Sequence, residues 1–197
     1  MDVPALTDVL PTLGLAIALA ACAGIRAWLP LLLAGGLARF GFLELGPSFQ
    51  FLGSDKALLL FASATLIEIA ADKIPALDHA LDMLSTVLRP AAGSLLAASV
   101  MWRISDPLTA LALGVAVGAP SALVPHAAKS ALRAASTAFT AGLANPILSV
   151  LEDVLVVALF IVAVVLPLLV VAVMGLVGLL LLRRFWAARQ RATVPAA

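Results

Sequence analysis

With 197 residues, 63% of them hydrophobic and only 12% charged, and a mean hydropathy of +1.16, the chain departs far from soluble domains, about a quarter of whose residues are charged. This composition excludes a water-soluble globule, and a net charge of +1 without a clustered basic face excludes nucleic acid as a partner. The lone Cys22 excludes an internal disulfide and is read as a small apolar side chain.

In hydrocarbon every backbone N–H and C=O needs an internal partner, which leaves helices or closed barrels. Barrels would show alternating segments of about ten residues. The runs here are continuous, and Val154 to Leu182 contains no charged side chain. The expected class is therefore all-α, a polytopic transmembrane bundle forming a single domain over residues 1–197, ending in a short basic tail at 183–197.

The first apolar block, Pro11 to about Phe40, would be about 45 Å long as one straight helix, against a hydrocarbon core of about 30 Å. It must bend or break, and Gly24, Pro30 and Gly35-Gly36 supply the places, with Arg26 between them. Within it, Leu19-Ala20-Ala21-Cys22 matches a lipoprotein cleavage pattern. Asp2 and Asp8 precede it where a signal peptide needs basic residues, so residues 10–24 are read as a mature membrane helix. A polar loop from Gly41 to Lys56 follows, with Phe42, Phe49 and Phe51 expected at interfacial depth. Ala57 to Ala71 forms the next span.

Asp72 to Arg89 is the most polar stretch and reads as an amphipathic helix after Pro75, with Leu77, Leu81, Leu84 and Leu88 on one side. A crossing follows from Pro90 to Trp102, short unless the preceding helix enters the membrane too, then a turn over Arg103 to Asp106. Pro107 fits the first position of a helix whose Leu108 to Val124 can span. His126 to Ala144 is rich in small residues and is expected as a separate buried or interfacial helix. Asn145-Pro146 signals a break before the longest apolar run, which Pro167, Gly175 and Gly178 interrupt. Arg183, Arg184, Arg189 and Arg191 end that run and place the C-terminus in the cytoplasm under the positive-inside rule. Six or seven crossings fit this pattern. Paired Pro-interrupted segments, Ile25 to Pro30 beside Pro120 to Pro125 and Pro75 to Asp82 beside Pro146 to Asp153, form a faint internal echo of the kind seen in repeat transporters.

The residues able to carry chemistry fall into four groups. Glu68 and Asp72 stand one turn apart, just before Lys73 and Pro75, so their carboxylates share a helix face and can bind a cation; alternatively Arg26 or Lys129 neutralises them. Asp78 and Asp82 repeat the one-turn spacing around His79. Glu152-Asp153 follows the Asn145-Pro146 break, and convergence of these helix ends would gather acids suited to a hard cation, although no metal signature is present. Finally, His126, Lys129 and Arg133 at i, i+3 and i+7 form one polar stripe, able to bind an anion, pair with the acids, or simply meet water. Nucleophile elbows, zincin motifs, phosphate loops and dinucleotide fingerprints are absent from the sequence, so neither an enzymatic activity nor a cofactor is expected.

The run Glu68-x-x-Ala71-Asp72-Lys73-x-Pro75-x-x-Asp78-x-x-x-Asp82, with Arg89-Pro90-x-x-Gly93, resembles the signature of a bacterial membrane family catalogued as domain of unknown function 4126. His126-Ala127-Ala128-Lys129 and Asn145-Pro146-x-x-Ser149-x-x-Glu152-Asp153 are similar to its later segments, and the resemblance covers about Leu13 to Leu182. It implies a multi-pass bacterial membrane protein with no established activity. Glu68 to Lys73 is also distantly similar to the Glu-x-Gly-Asp-Lys motif of calcium and manganese exchangers, with the acids one residue further apart and Ala71 in place of the glycine. The expected function is a small secondary transporter or channel-like protein for an ion or small solute, in the inner (plasma) membrane; the alternative is a non-catalytic membrane scaffold or assembly factor. Its partners would be the bilayer and the transported species, with a homo-oligomer left open.

Overall fold

The computed structural model describes residues 6–72, 75–101, 104, 106–167 and eight scattered positions between 169 and 186, with backbone alone for 6–8 and 75–83. Among the described residues the fold is an all-α bundle of six α-helices and one 3₁₀ segment, without strands. The helices are α1 (Leu6–Ile25), α2 (Trp28–Arg39), α3 (Asp55–Ala71), α4 (Pro75–Ser99), α5 (Pro107–Thr140) and α6 (Asn145–Val165), with the 3₁₀ segment at Pro47–Gly53.

The expected interruption of the first apolar block falls at Arg26-Ala27, between α1 and α2. Pro30 explains the position: it has no N–H for the carbonyl four residues earlier, and its ring would strike that carbonyl, which belongs to Arg26. Ser54 caps α3 by accepting from the Ala57 amide at 3.3 Å. At the start of α5, Pro107 occupies the first turn and Asp106 caps it, accepting from the Thr109 amide at 2.7 Å and its hydroxyl at 2.5 Å. The hydroxyl and amide hold the exposed Asp106 carboxyl below its ordinary range. Left-handed Ala141 and Gly142 turn the chain from α5 into α6, and Asn145-Pro146 opens α6 as its break signal suggests.

Three expectations are corrected. No boundary occurs at Pro90, which lies inside the 25-residue α4, and α5 runs unbroken for 34 residues through Pro120 and Pro125 where two helices were expected. Neighbouring helices override the local preference of proline, and hydroxyls take up backbone carbonyls nearby: Ser94 Oγ donates to Pro90 O and Ser121 Oγ to Val117 O, both at 2.7 Å. Phe42 and Phe51 are exposed, whereas Phe49 turns into the core through the 3₁₀ segment. Lys73, the side chains of Asp78, His79 and Asp82, and Arg189 and Arg191 lie outside the described residues.

α1, α4 and α5 form the densest packing, and α2 with α3 and the 3₁₀ segment forms a second unit beside it. Small residues bring the backbones together. A Cβ on Gly118 would collide with the backbone of Gly93, and one on Gly24 with the carbonyl of Ala122. That closeness maximises van der Waals contact, which falls off steeply with distance. The outer faces are apolar: Leu108, Val115 and Val124 on α5 and Ile147, Val154 and Val165 on α6 are all exposed. Both helices are long and apolar enough to cross a membrane, and only 22% and 28% of their most apolar windows are buried, unlike the core helix of a soluble protein. α1, from Val9, and α2 are shorter apolar helices.

Candidate functional site

Each helix that reaches the site changes character along its buried stripe. On α5 the buried residues are Ala110, Gly114, Gly118 and Ala122, followed by His126, Lys129 and Arg133. On α6 they are Ser149 and Glu152, followed by Val156, Phe160 and Ala163. On α3, Phe61 and Thr65 lead to Glu68, with Asp72 capping the end. Because α5 and α6 are joined by a tight turn, their polar halves meet, and the ends of α1 and α3 arrive at the same level.

Arg26, fully buried at the break after α1, is the hub. Its guanidinium pairs with Asp72, lies 2.7 Å from Asp153 Oδ1 and 3.9 Å from Glu152 Oε2, and donates to the Ser149 carbonyl and hydroxyl at 3.2 and 2.8 Å. Arg133 Nη2 bridges Asp72 Oδ2 at 2.9 Å and Glu152 Oε2 at 3.0 Å, while its Nε donates to Glu152 Oε1 at 3.2 Å. Lys129 Nζ stands 2.9 Å from Glu152 Oε2 and 3.6 Å from Asp72 Oδ2. Three cations thus enclose Asp72 and Glu152, with Asp153 the most exposed carboxylate at 22%. Such a buried network is high-stakes, because removing one partner leaves an uncompensated charge.

Glu68 faces elsewhere. Its two oxygens accept from the amides of Ala27 and Trp28 at 3.1 and 3.3 Å, so it caps the N-terminus of α2 from another helix. At the other side of the break Lys129 donates to the carbonyl of Ile25 at 3.2 Å, on the C-terminal end of α1. Glu68 and Asp72 therefore do not converge on a cation, contrary to the spacing argument: one meets helix amides and the other the chain's own cations. Further along, Arg89 Nη1 lies 2.6 Å from His126 Nδ1, and His126 Nε2 lies 3.4 Å from Thr86 Oγ1. An arginine nitrogen can only donate, so Nδ1 accepts and Nε2 carries the proton.

Of the residues singled out in the sequence, the structure joins Arg26, Asp72, Lys129, Glu152 and Asp153, sets Glu68 at the helix break, and places His126 with Arg89. Sequence reasoning passed over Arg89 and Ser149 as chemical groups, although both stand in the motifs quoted above. Arg133 was noted only as part of a stripe. A charged residue at a position that continues a small-residue face would have exposed it, since Gly114, Gly118 and Ala122 lead straight to it.

Searches of curated proteins and of solved structures returned no match. The conserved-sequence description of one family, Domain of unknown function (DUF4126), matches residues 13–187. That span holds both half-helix ends, the enclosed carboxylates and all three cations around them, and the chain belongs to this DUF4126 family.

Proposed function

We propose that the chain is a multi-pass integral membrane protein of the inner (plasma) membrane and works as a small secondary transporter or channel-like protein for an ion or small solute. One observation carries this reading: a buried, charge-matched network joins the α1–α2 break to α3, α5 and α6. Buried ion pairs contribute little stability compared with apolar packing of the same volume. Ionisable groups among apolar helices mark pathways and relays, and helix breaks mark binding sites. In this reading, rearranging the network as the species passes couples the two halves of the bundle.

The test is a flux screen in proteoliposomes with ions and small solutes, comparing the wild-type protein with Asp72→Asn. Wild-type flux is expected for one solute class, and loss of at least about tenfold in a variant that remains folded and inserted. Absence of flux from folded wild-type protein across the panel, or full flux in Asp72→Asn, defeats the reading. The second reading, a membrane scaffold, draws support from the saturation of Asp72 and Glu152 by internal cations. It predicts no flux, and co-purification of a partner that disappears when the network is disrupted.

A further inference from the structure

The break between α1 and α2 presents two backbone ends of opposite sign two residues apart. The carbonyl of Ile25 closes the negative end of α1, and the amides of Ala27 and Trp28 open the positive end of α2. Each end is occupied by a charge tethered to a different helix. The Lys129 ammonium from α5 sits on the carbonyl, and the Glu68 carboxylate from α3 sits on the amides. An ammonium on the carbonyl end of the break and a carboxylate on its amide end supply the two charges of a zwitterion.

Two further observations concern the same place. Thr65, 5% exposed, has a buried hydroxyl without a hydrogen-bond partner among the described residues. It lies between Phe61 and Glu68 on the face of α3 that meets the first turn of α2, because Phe61 packs against Trp28 and Glu68 reaches the Trp28 amide. Thr65 thus stands on the α3 face that meets the α2 end, and its hydroxyl is a spare donor on that face. The Trp28 and Phe61 rings, with centroids 6.3 Å apart, supply an apolar wall beside it.

We propose that this break is the recognition site for an α-amino acid with an apolar side chain, and that the structure holds it in a self-occupied state. The proposal rests on the transport reading and names its substrate class. The ligand ammonium takes the Ile25 carbonyl from Lys129, which keeps Glu152 and Asp72 within reach. The ligand carboxylate takes the Ala27 and Trp28 amides from Glu68 and accepts a further hydrogen bond from Thr65. Its side chain lies against Trp28 and Phe61. A ligand with only one of the two charges relieves only one end of the break.

Binding of radiolabelled L-leucine and L-phenylalanine to the purified full-length protein in nanodiscs tests this. Saturable binding is expected. Leucine's single-charge analogues, 4-methylpentanoate and isoamylamine, should compete at least about tenfold more weakly, since each forfeits charge-assisted hydrogen bonds at one end. Thr65→Val should fold normally, because it removes a buried hydroxyl that has no partner, and should weaken binding about tenfold, whereas Thr65→Ser should retain it. Glu68→Gln weakens the internal competitor and should tighten leucine binding, an effect that a purely structural cap would not produce. Failure of both amino acids to bind, equal competition by either single-charge analogue, or unchanged affinity in folded Thr65→Val overturns the proposal. Amino-acid binding without flux would discard the transport reading and keep the site; flux of another solute without amino-acid binding would discard the site alone.

Discussion

Arg133 shows what a single side chain does at the centre of this protein. It lies 3% exposed and touches both enclosed carboxylates, so Arg133→Gln leaves Asp72 and Glu152 short of one cation. A loss of about 3–5 kcal/mol is expected on breaking one side of a buried pair. Pairing it with Glu152→Gln should recover part of that loss, because the double variant restores charge balance. Unfolding of the two single variants and the double variant in detergent measures the coupling, and strict additivity would mean that the pair contributes nothing of its own. Asp106 is a contrasting case at the surface. Its carboxyl is held low by the Thr109 hydroxyl and amide, so its capping contribution is fully present above the ordinary aspartate value of about 3.9. That contribution is lost as pH falls through the lowered value. Protection from hydrogen exchange at the first turn of α5, relative to the intrinsic rate, should therefore fall only at acid pH, and Asp106→Ala should show that fraying at neutral pH.

At the level of elements, the bundle depends on helices that approach closer than ordinary side chains allow. Gly118→Ala should destabilise by about 1–3 kcal/mol, since the new methyl meets the backbone of Gly93 and no side chain can rotate away. Gly36 is the internal control. It sits inside α2 with nothing near the position of a Cβ, and Gly36→Ala should be neutral or stabilising by up to about 1 kcal/mol. Thermal unfolding of the two variants separates close packing from helix propensity. The α1–α2 break follows the same logic of local sterics met by distant partners: Pro30 opens the ladder, and Lys129 and Glu68 cover the two ends it leaves.

For the whole molecule, the exposed apolar faces of α5 and α6 and the exposed Arg183 and Arg184 argue for a bilayer around the bundle and a cytoplasmic basic tail. A C-terminal reporter active only in the cytoplasm is the expected outcome, together with protection of a cysteine introduced at Gln190 from an external impermeant reagent. Labelling of that cysteine in intact cells would invert the orientation. α5 would be about 51 Å long if straight, more than a hydrocarbon core of about 30 Å, so in the membrane reading it either tilts or extends beyond the apolar layer.

By itself the sequence determined the all-helical character, the existence of a break near Arg26, the helix starts at Pro107 and Asn145-Pro146, and the polar stripe of His126, Lys129 and Arg133. All of these are written within a turn or two of chain, through hydropathy, periodicity and the missing N–H of proline. The same local rules misjudged Pro90 and Pro125, because neighbouring helices keep α4 and α5 continuous through them. The partners of the charges were beyond such rules. Arg26 and Ser149 are 123 positions apart, and the residues that cap the two sides of the break come 41 positions after Ala27 and 104 after Ile25. The one-turn spacing of Glu68 and Asp72 suggested a shared ligand, but only the tertiary packing decided that one carboxylate caps a helix and the other joins three cations. A charge in an apolar surrounding must find a partner, and which partner it finds depends on which helices the small-residue faces bring into contact.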